Sequence, residues 1–341
     1  MHAAALKTPL TVEADVLVFG NGHYLADIST VPDGVTVTVD DASGDSKEGF
    51  AALAMATAEH VTITIADGTA LTRPLAIHHS IDARHGNYAA ANVQVVLGKE
   101  SRAKMMHLQT GKTDLFFLNQ YMRVSLHAGA NLEIDTLVDT AGEMHHLQDW
   151  QLDLAEHSKL TARMVLARGQ WMRQSWDVSL AGEKAAADLA GLYAPAQDEY
   201  ADVHLTVRHC MPDCQSRQLF RGIIGERSTG AWHGGVIVDA AATGSDIQQS
   251  DRNILLTETS VVHAQPHMQI HTDDVIASHG VTSGQLDQQA LLYLRSRGIS
   301  AEQAAELLTL AHADEVIARV PYTAWREYCI VAIRDTISSL I

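Results

Sequence analysis

The sequence is poor in aromatic residues and in positive charge, and each shortage limits what the protein can be. Phe, Trp and Tyr make up 5% of the 341 residues. The small and β-branched residues that dominate instead suit closely stacked strands better than a bulky helical core. The 24 Lys and Arg residues stand against 41 Asp and Glu residues, which gives a net charge of −17. We therefore expect no nucleic-acid partner, because binding to a phosphate backbone needs a cationic surface.

The sequence also lacks the features of a secreted or membrane protein. Its three cysteines, Cys210, Cys214 and Cys329, are too few for a disulfide framework. No apolar run reaches the roughly 20 residues that a membrane helix needs. The N-terminal segment has neither the charged start nor the long apolar stretch of a signal peptide. These absences predict a cytoplasmic protein without a membrane partner.

Several common catalytic motifs are missing as well. The sequence contains no HExxH or Cys2His2 zinc pattern, no GxxxxGKS/T phosphate loop and no GxSxG nucleophile elbow. The chain is therefore not expected to be an ATPase. A Ser-His-Asp triad built from residues far apart in the sequence stays open.

What the sequence does contain is a repeat of short apolar–polar–apolar units. In each unit two apolar or small residues stand six positions apart around a polar turn. The first four units start 29, 28 and 26 residues apart, and a fifth follows 58 residues later, about two further periods. Such spacing predicts a β-solenoid or a meander, with the chance hairpins of an ordinary β protein as the alternative. The units cover residues 97–103, 126–132, 154–160, 180–186 and 238–244, and residues 256–262 are a further candidate at a shorter interval.

The pattern changes from strand to helix between His267 and Ser300. Apolar residues alternate with polar ones up to Ala277, which is typical of a half-buried strand. After Gly284 the apolar residues recur at helical spacing, and a second helical pattern opens at Ser300 with a capping box. A third helix is predicted for residues 322–340. We therefore expect an all-β core followed by an α-helical tail.

Candidate metal ligands are few, although the chain has 19 histidines. Most of these histidines are expected to be exposed polar residues. The only local group of soft ligands is His209-Cys210-x-x-x-Cys214, for which a structural turn is favoured over a transient iron, zinc or cluster contact. Cys329 falls on the apolar stripe of the last helix and is predicted to be a core residue. His279 stands between a strand end and a glycine, and residue types alone leave a structural and a ligand role open.

Three ordered blocks of the sequence resemble one known family. HCMPDCQSRQLFRGII covers residues 209–224, GAWHGGVIVDAAATGSDIQQSDRNILLTE covers 230–258, and DDVIASHGVTSGQLDQQALLYLRSRG covers 273–298. Their order and spacing resemble the SufB/SufD family of iron–sulfur cluster assembly proteins. The SHG…GQLD segment is similar to the SufD branch of that family.

The resemblance implies a fold and a division of the chain. Members of the family are right-handed parallel β-helices, or β-solenoids, with a small C-terminal helical domain. We accordingly expect residues 1–282 to form a β-helix core with a short N-terminal extension. Residues 283–341 are expected to form the helical domain and to dock a SufC-like ABC-type ATPase.

The resemblance also implies a function. It predicts a non-enzymatic SufD-like scaffold that pairs with a SufB-like subunit through the end of the β-helix and takes part in iron entry and cluster assembly. His279, the histidine of the SHG motif, is then expected at that interface. There it would contact iron or an iron–sulfur cluster held transiently and shared with the partner. Ala277 stands where family members often have a cysteine, so a thiolate is missing at that position.

Two other functions stay open at the level of sequence. A homodimer of this chain could form the scaffold without a distinct SufB-like partner. A polysaccharide-acting β-helix enzyme that uses surface carboxylates is the second alternative. The few aromatic residues available for sugar stacking and the helical tail count against that enzyme.

Overall fold

The computed structural model shows a β-solenoid with a helical tail, and it describes residues 13–41, 49–81 and 86–338. The strands are β1 (Asp15–Gly20), β2 (His23–Tyr24), β3 (Val35–Asp40), β4 (His60–Ile65), β5 (Leu75–Ser80), β6 (Tyr88–Leu97), β7 (Arg102–Leu126), β8 (Asn131–Leu154), β9 (Lys159–Arg168), β10 (Trp171–Leu180), β11 (Ala186–Tyr193), β12 (Tyr200–His209), β13 (Gln215–Ile224), β14 (Thr229–Val238), β15 (Ser245–Leu255), β16 (Val261–Ile270) and β17 (Val275–Gly284). The helices are α1 (Phe50–Thr57), α2 (Gln288–Ser296), α3 (Ala301–Ile317) and α4 (Thr323–Ser338).

Successive strands of the solenoid alternate between two parallel sheets. Sheet A contains β1, β5, β9, β11, β13, β15 and β17. Sheet B contains β4, β6, β10, β12, β14 and β16, with β3 antiparallel to β4. The long strands β7 and β8 pass through a corner and contribute to both sheets. Neighbouring coils are in register, so that Trp171, Tyr200 and Thr229 form one row whose members are 29 positions apart in the sequence. The solenoid has about eight turns, and the predicted parallel β-helix with a helical tail is confirmed.

The repeat found in the sequence marks the corner at which the chain passes from sheet B to sheet A. Leu97, Leu126 and Leu154 each end a strand of sheet B and are buried in the core. At each of these corners four residues follow, and the third has a positive φ that reverses the chain direction. One left-handed residue recurs at every such corner from β6 to β15. This row consists of Glu100, Gly129, His157, Lys184, Asp213 and Gly244.

Three of the predicted units are placed differently by the structure. In the unit 238–244 the second residue, Gly244, is the left-handed residue of its corner and not a core residue. The corner after Leu180 is one residue longer than the earlier corners, so Ala187 rather than Ala186 enters the core. Residues 256–262 lie at the opposite corner, where the chain returns from sheet A to sheet B. Spacing alone could not separate the two corners, because both place apolar residues around a polar turn.

Alternate residues of each coil point into a core shared by the two sheets. Trp150 and Trp176, from successive coils of sheet B, have ring centroids 5.9 Å apart. Polar side chains lie in the same interior, where Gln109 donates to Gln120 at 2.6 Å and His146 hydrogen-bonds Gln109 at 2.9 Å. Because a buried polar group without a partner costs free energy, these hydrogen bonds favour one register of the coils.

The C-terminal helices turn back onto the solenoid, and α3 and α4 pack on the outer face of sheet A. Trp325, Cys329 and Ile333 form one buried stripe of α4 and belong to the same apolar cluster as outward residues of β7 to β13. The predicted stripe and the core position of Cys329 are thus confirmed. Arg221 of β13 adds a charged contact, since its Nε donates to Glu315 of α3 at 3.0 Å.

The helix starts follow the capping signals of the sequence. The Ser300 hydroxyl accepts a hydrogen bond from the backbone N–H of Gln303, and the Gln303 side chain accepts one from the backbone of Ser300, which confirms the capping box. No helix in the described ranges is long and apolar enough to cross a membrane. Strand β17 ends at Gly284 and α2 begins at Gln288, while the division into two domains at residue 283 stays a prediction.

Candidate metal and partner-binding site at the open end

The C-terminal end of the solenoid is open. Strand β16 is the last strand of sheet B, and β17 is the last strand of sheet A. Within the described residues each of them pairs with one neighbouring strand of its sheet. The free edges carry backbone N–H and C=O groups that can pair with another strand. Val261, Ile270 and Ile276 on these strands are exposed, Ile276 to 72%. Pro266 in the middle of β16 fits an edge position, because proline lacks the N–H that an inner strand needs.

His279 belongs to the row of β17 that faces the interior of the solenoid. It lies opposite Gln249 of β15 in the register of the two strands. Val275 and Val281, four residues before and two residues after it, pack against core clusters, and residues at even spacing share one face of a strand. The imidazole is nevertheless exposed, because no further coil within the described residues covers it. His279 therefore lies at the mouth of the solenoid interior.

A polar row leads from the interior to His279. Gln218 of β13 lies opposite Gln249, and Gln249 donates to Gln218 at 2.7 Å. Both glutamines are buried, and in the part of the chain that the structure describes Gln218 Nε2 and Gln249 Oε1 have no hydrogen-bond partner. Buried polar atoms of this kind are costly unless a bound group or water satisfies them. The row Gln218–Gln249–His279 thus offers polar contacts just inside the open end.

A buried carboxyl lies on the same strand as Gln249. Asp251 accepts hydrogen bonds from the Tyr193 hydroxyl at 3.3 Å and from Asn253 Nδ2 at 2.7 Å. Asn253 also contacts Ser283 of β17 at 3.4 Å. Burial raises the pKa of Asp251 to about 7, so this carboxyl holds or releases a proton near neutral pH.

Ala277 occupies the same inward-facing row, two residues before His279 and opposite Ile247. Its methyl group offers no ligand atom. On the inward face of β17 the nitrogen ligand is therefore the imidazole of His279, and any thiolate must come from elsewhere.

His209, Cys210 and Cys214 form a corner of the solenoid that the sequence repeat had not included. Residues 210–214 link β12 to β13, and His209 takes the strand-end place that Leu180 has one coil earlier. Both ring nitrogens of His209 are hydrogen-bonded, to Ser245 Oγ at 3.2 Å and to Ser216 Oγ at 2.9 Å. Burial lowers the pKa of His209 to about 4.

The two cysteines of this corner face different surroundings. Cys214 is buried, its Sγ lies 3.3 Å from the carbonyl oxygen of Gly182, and burial raises the pKa of its thiol. Cys210 is partly exposed, lies 3.7 Å from Ser179 Oγ, and has a pKa that burial likewise raises. Raised thiol pKa values disfavour the thiolate form that binds metals. This geometry fits a structural turn, and a metal role for the group stays a prediction.

A different set of ligand-type side chains does come together. Asp202, His204 and His233 lie on the outer face of sheet B, with one ligand atom of each within 4.8 Å of the others. They form the one group of three or more metal-ligating side chains with this geometry in the described residues. Sequence reasoning missed this group because it treated His204 and His233 as scattered. The signal was present, since the two histidines are 29 residues apart, which is the spacing of one coil.

The helical tail presents an apolar groove between α3 and α4. The groove has a volume of about 310 Å³ and is lined by Leu307, Leu310, Ile317 and Ile330 among others. Leu307 is 49% exposed at its rim. Exposed apolar surface of this kind is typical of protein–protein contacts.

Known proteins share much of this chain. The family described as "SUF system FeS cluster assembly, SufBD core domain" matches residues 52–312. The iron-sulfur cluster assembly protein SufD of Escherichia coli is 28% identical over 319 residues, which cover 90% of this chain and 75% of the relative. An iron-sulfur cluster assembly SufBD family protein of Mycobacterium leprae is 31% identical over 221 residues, which cover 62% of this chain and 56% of the relative. The chain thus spans little more than half the length of the mycobacterial relative.

Proposed function

The chain belongs to the SufBD family of iron–sulfur cluster assembly proteins, and we propose that it serves as a SufD-like scaffold subunit of a SUF assembly complex. The observation that carries the proposal is the open end of the solenoid, where two edge strands and His279 lie together. On this proposal the subunit works in the cytoplasm and is not an enzyme. Iron or a nascent cluster is its transient cargo.

A SufB-like subunit is proposed to bind at β16 and β17. The free strand edges supply main-chain hydrogen bonds, and Val261, Ile270 and Ile276 supply apolar contacts. Pairing at these edges would extend both sheets into the partner. It would also cover the row Gln218–Gln249–His279 and exclude water from it.

His279 is proposed to contact iron or a cluster at this interface. An imidazole nitrogen is a suitable ligand for iron, and the exposure of His279 leaves it open to a group that the partner also holds. Because Ala277 gives no thiolate, further ligands would come from the partner, so the cargo is shared between subunits. A metal contact at His209, Cys210 and Cys214 is a weaker proposal, since the side chains of His209 and Cys214 already contact other residues of the solenoid corners.

The C-terminal helices are proposed to dock a SufC-like ABC-type ATPase. The groove between α3 and α4 offers apolar surface with Asp314 and Arg334 among its lining residues. Leu292 and Tyr293 of α2 add exposed apolar area, at 67% and 59%. The chain itself has no phosphate-binding loop, so ATP hydrolysis is expected only with the partner present.

Co-purification tests the scaffold proposal. The tagged full-length chain is isolated from its native host, bound chains are identified by mass spectrometry, and the mass of the assembly is measured by light scattering. We expect a SufB-like chain and a SufC-like ATPase in the assembly. Recovery of this chain alone, as a monomer, would contradict the proposal.

The role of His279 is tested separately, in the purified complex. His279→Ala should lower the iron bound per complex and the absorption of the reconstituted cluster, while the subunit composition stays the same. His271→Ala is the matched control, because His271 is also exposed but lies in the turn between β16 and β17. Equal iron and cluster content in both variants and the wild type would remove His279 from the proposal.

A homodimeric scaffold is the second candidate. The open edges of β16 and β17 favour it as well, because an edge strand can pair with the same edge of a second copy. Light scattering of the isolated chain separates the two candidates. A stable dimer that assembles a cluster without a SufB-like chain would support the homodimer over the mixed complex.

A further inference from the structure

A group of metal-ligating side chains lies on the outer face of sheet B, on the opposite side of that sheet from the solenoid interior. Asp202 and His204 are two residues apart on β12 and therefore point to the same face. His233 of β14 is the direct register partner of His204. This arrangement needs no loop to form, because two regular, paired strands hold all three side chains.

One carboxylate oxygen of Asp202 accepts a hydrogen bond, and the other has no hydrogen-bond partner among the described residues. Asp202 is 6% exposed, and its Oδ2 accepts a hydrogen bond from Arg173 Nη1 at 3.2 Å. Its Oδ1 is buried and has no hydrogen-bond partner in the described part of the chain. That oxygen lies 2.8 Å from His204 Nε2, close enough for an ion pair but without the angles of a hydrogen bond. A cation between the two atoms would satisfy both.

The two imidazoles are positioned like a pair of ligands. The rings of His204 and His233 stack with centroids 4.4 Å apart and an interplanar angle of 25°. His233 is partly buried and lies on the same face of sheet B as His204, so both rings can turn a nitrogen towards Asp202. Gln265 of β16 is the register partner of His233, and a side chain at that position can orient a ligating ring.

The group is accessible from solvent, and the charge of the neighbouring residues favours a cation. A groove of about 270 Å³ reaches His204 along the outer face of sheet B. Asp149 and Asp177 line it and add negative charge, which offsets part of the positive charge of Arg173. An ion can therefore reach the group from solvent.

We propose that Asp202, His204 and His233 bind one divalent first-row transition metal ion. Two imidazoles and one carboxylate suit iron(II), cobalt(II), nickel(II) or zinc(II), whereas magnesium and calcium prefer all-oxygen sites. Metal–ligand bonds of about 2.0–2.2 Å place neighbouring ligand atoms roughly 3–4 Å apart, so small side-chain rotations close the 4.8 Å group around an ion. Three protein ligands leave further positions for water or for a group delivered by a partner. The inference does not rest on the proposed scaffold function, because all three ligands come from this chain.

Cobalt(II) binding to the purified full-length chain tests the site. The visible d–d absorption reports ligand number, and isothermal titration reports stoichiometry and affinity. We expect one cobalt(II) ion per chain with a spectrum of mixed nitrogen and oxygen ligation. The double variant H204Q/H233Q should bind cobalt(II) at least tenfold more weakly and lose that spectrum.

Two control variants keep the test specific. His127→Gln changes an exposed histidine of a distant corner and should leave the titration unchanged. His157→Gln changes a second exposed corner histidine, outside every proposed site, and should also leave the titration unchanged. Because the His204 side chain is 35% exposed, the double variant should unfold at the same urea concentration as the wild type. Equal cobalt(II) binding by H204Q/H233Q and the wild type, or no binding by the wild type, would overturn the proposal.

Discussion

Cys214 occupies a position in its solenoid corner that serine occupies in other corners. At the corners after β6 and β8, the residue that follows the left-handed position is Ser101 or Ser158, and each donates to a corner carbonyl three residues back, at 2.7 and 2.6 Å. Cys214 follows Asp213 in the same way, and its thiol lies 3.3 Å from the carbonyl oxygen of Gly182. A buried thiol that replaces a serine hydroxyl is explained by the corner alone, without a metal.

This comparison gives a prediction for Cys214. Cys214→Ser should change the free energy of unfolding by less than about 1 kcal/mol, because serine occupies this corner position elsewhere and its hydroxyl donates to a corner carbonyl there. Cys214→Leu should cost about 1–3 kcal/mol, because the larger side chain has no room in the corner. Urea unfolding measures both. If Cys214 were a metal ligand, Cys214→Ser would instead lower the iron content of the purified complex.

At the scale of elements, the long strand β8 depends on one glycine where it passes from sheet A to sheet B. Gly142 has a φ of 85°, and a Cβ built there would overlap the carbonyl oxygen of Thr113 on β7. Gly142→Ala should therefore cost about 3 kcal/mol of unfolding free energy, from backbone strain and a forced shift of the neighbouring coil. Gly235→Ala is the matched control, because a Cβ there would lie no closer than 3.5 Å to any neighbour. Similar urea midpoints for both variants would refute this explanation of the corner.

The edge strand β17 carries a second prediction at this scale. Ile276 is 72% exposed, so Ile276→Asp should leave the free energy of unfolding of the isolated chain within about 0.5 kcal/mol of the wild-type value. Its carboxylate would be buried in the proposed interface, and association with the SufB-like subunit should weaken at least tenfold. Leu115→Asp is the control, since Leu115 is 50% exposed but lies at a corner in mid-solenoid. Surface binding assays that show equal affinity for both variants would exclude β17 from the interface.

The helices, strands and corners also show which features could be predicted from sequence patterns. The leucines at 97, 126 and 154 revealed the corners because an apolar residue ends each coil there, and Ser300 revealed a helix start because its capping box is local. The corner after His209 escaped the pattern, since a hydrogen-bonded histidine takes the apolar place. The group formed by His204 and His233 escaped as well, because only the register of β12 and β14 brings the two residues together. Features that depend on local sequence, such as corners and helix starts, were thus predictable, whereas contacts that depend on the register of neighbouring coils were not.

At the scale of the whole molecule, the solenoid buries an unusual number of histidines. Five of them are at most 2% exposed: His78, His79, His107, His146 and His209. Burial lowers the pKa of each one, to about 4 for His78 and His209, to about 3 for His107 and His146, and well below the ordinary value for His79. Burial has the opposite effect on two carboxyls, since it raises the pKa values of Asp251 and Glu199 to about 7.

These shifts predict that the protein loses stability as the pH falls from 7 to 5. In this range the unfolded histidines take up protons that the folded ones do not, so each buried histidine lowers the free energy of unfolding, by about 2 kcal/mol at pH 5. Asp251 and Glu199 have the opposite effect, because the folded state takes up protons at these carboxyls as the pH falls below 7. The two carboxyls together offset roughly half of the destabilisation that the five histidines cause. Five histidines outweigh two carboxyls, so the net effect is destabilising.

Urea unfolding of the full-length chain at pH 7, 6 and 5 checks this balance. His107→Gln should flatten the pH dependence, because it removes one proton uptake on unfolding while the amide can still reach the Thr136 hydroxyl that His107 contacts at 3.0 Å. A stability that stays constant or rises towards pH 5 would mean that the interior histidines are hydrated or already charged in the folded state. The polar interior of the solenoid would then be open to solvent rather than sealed between its two sheets.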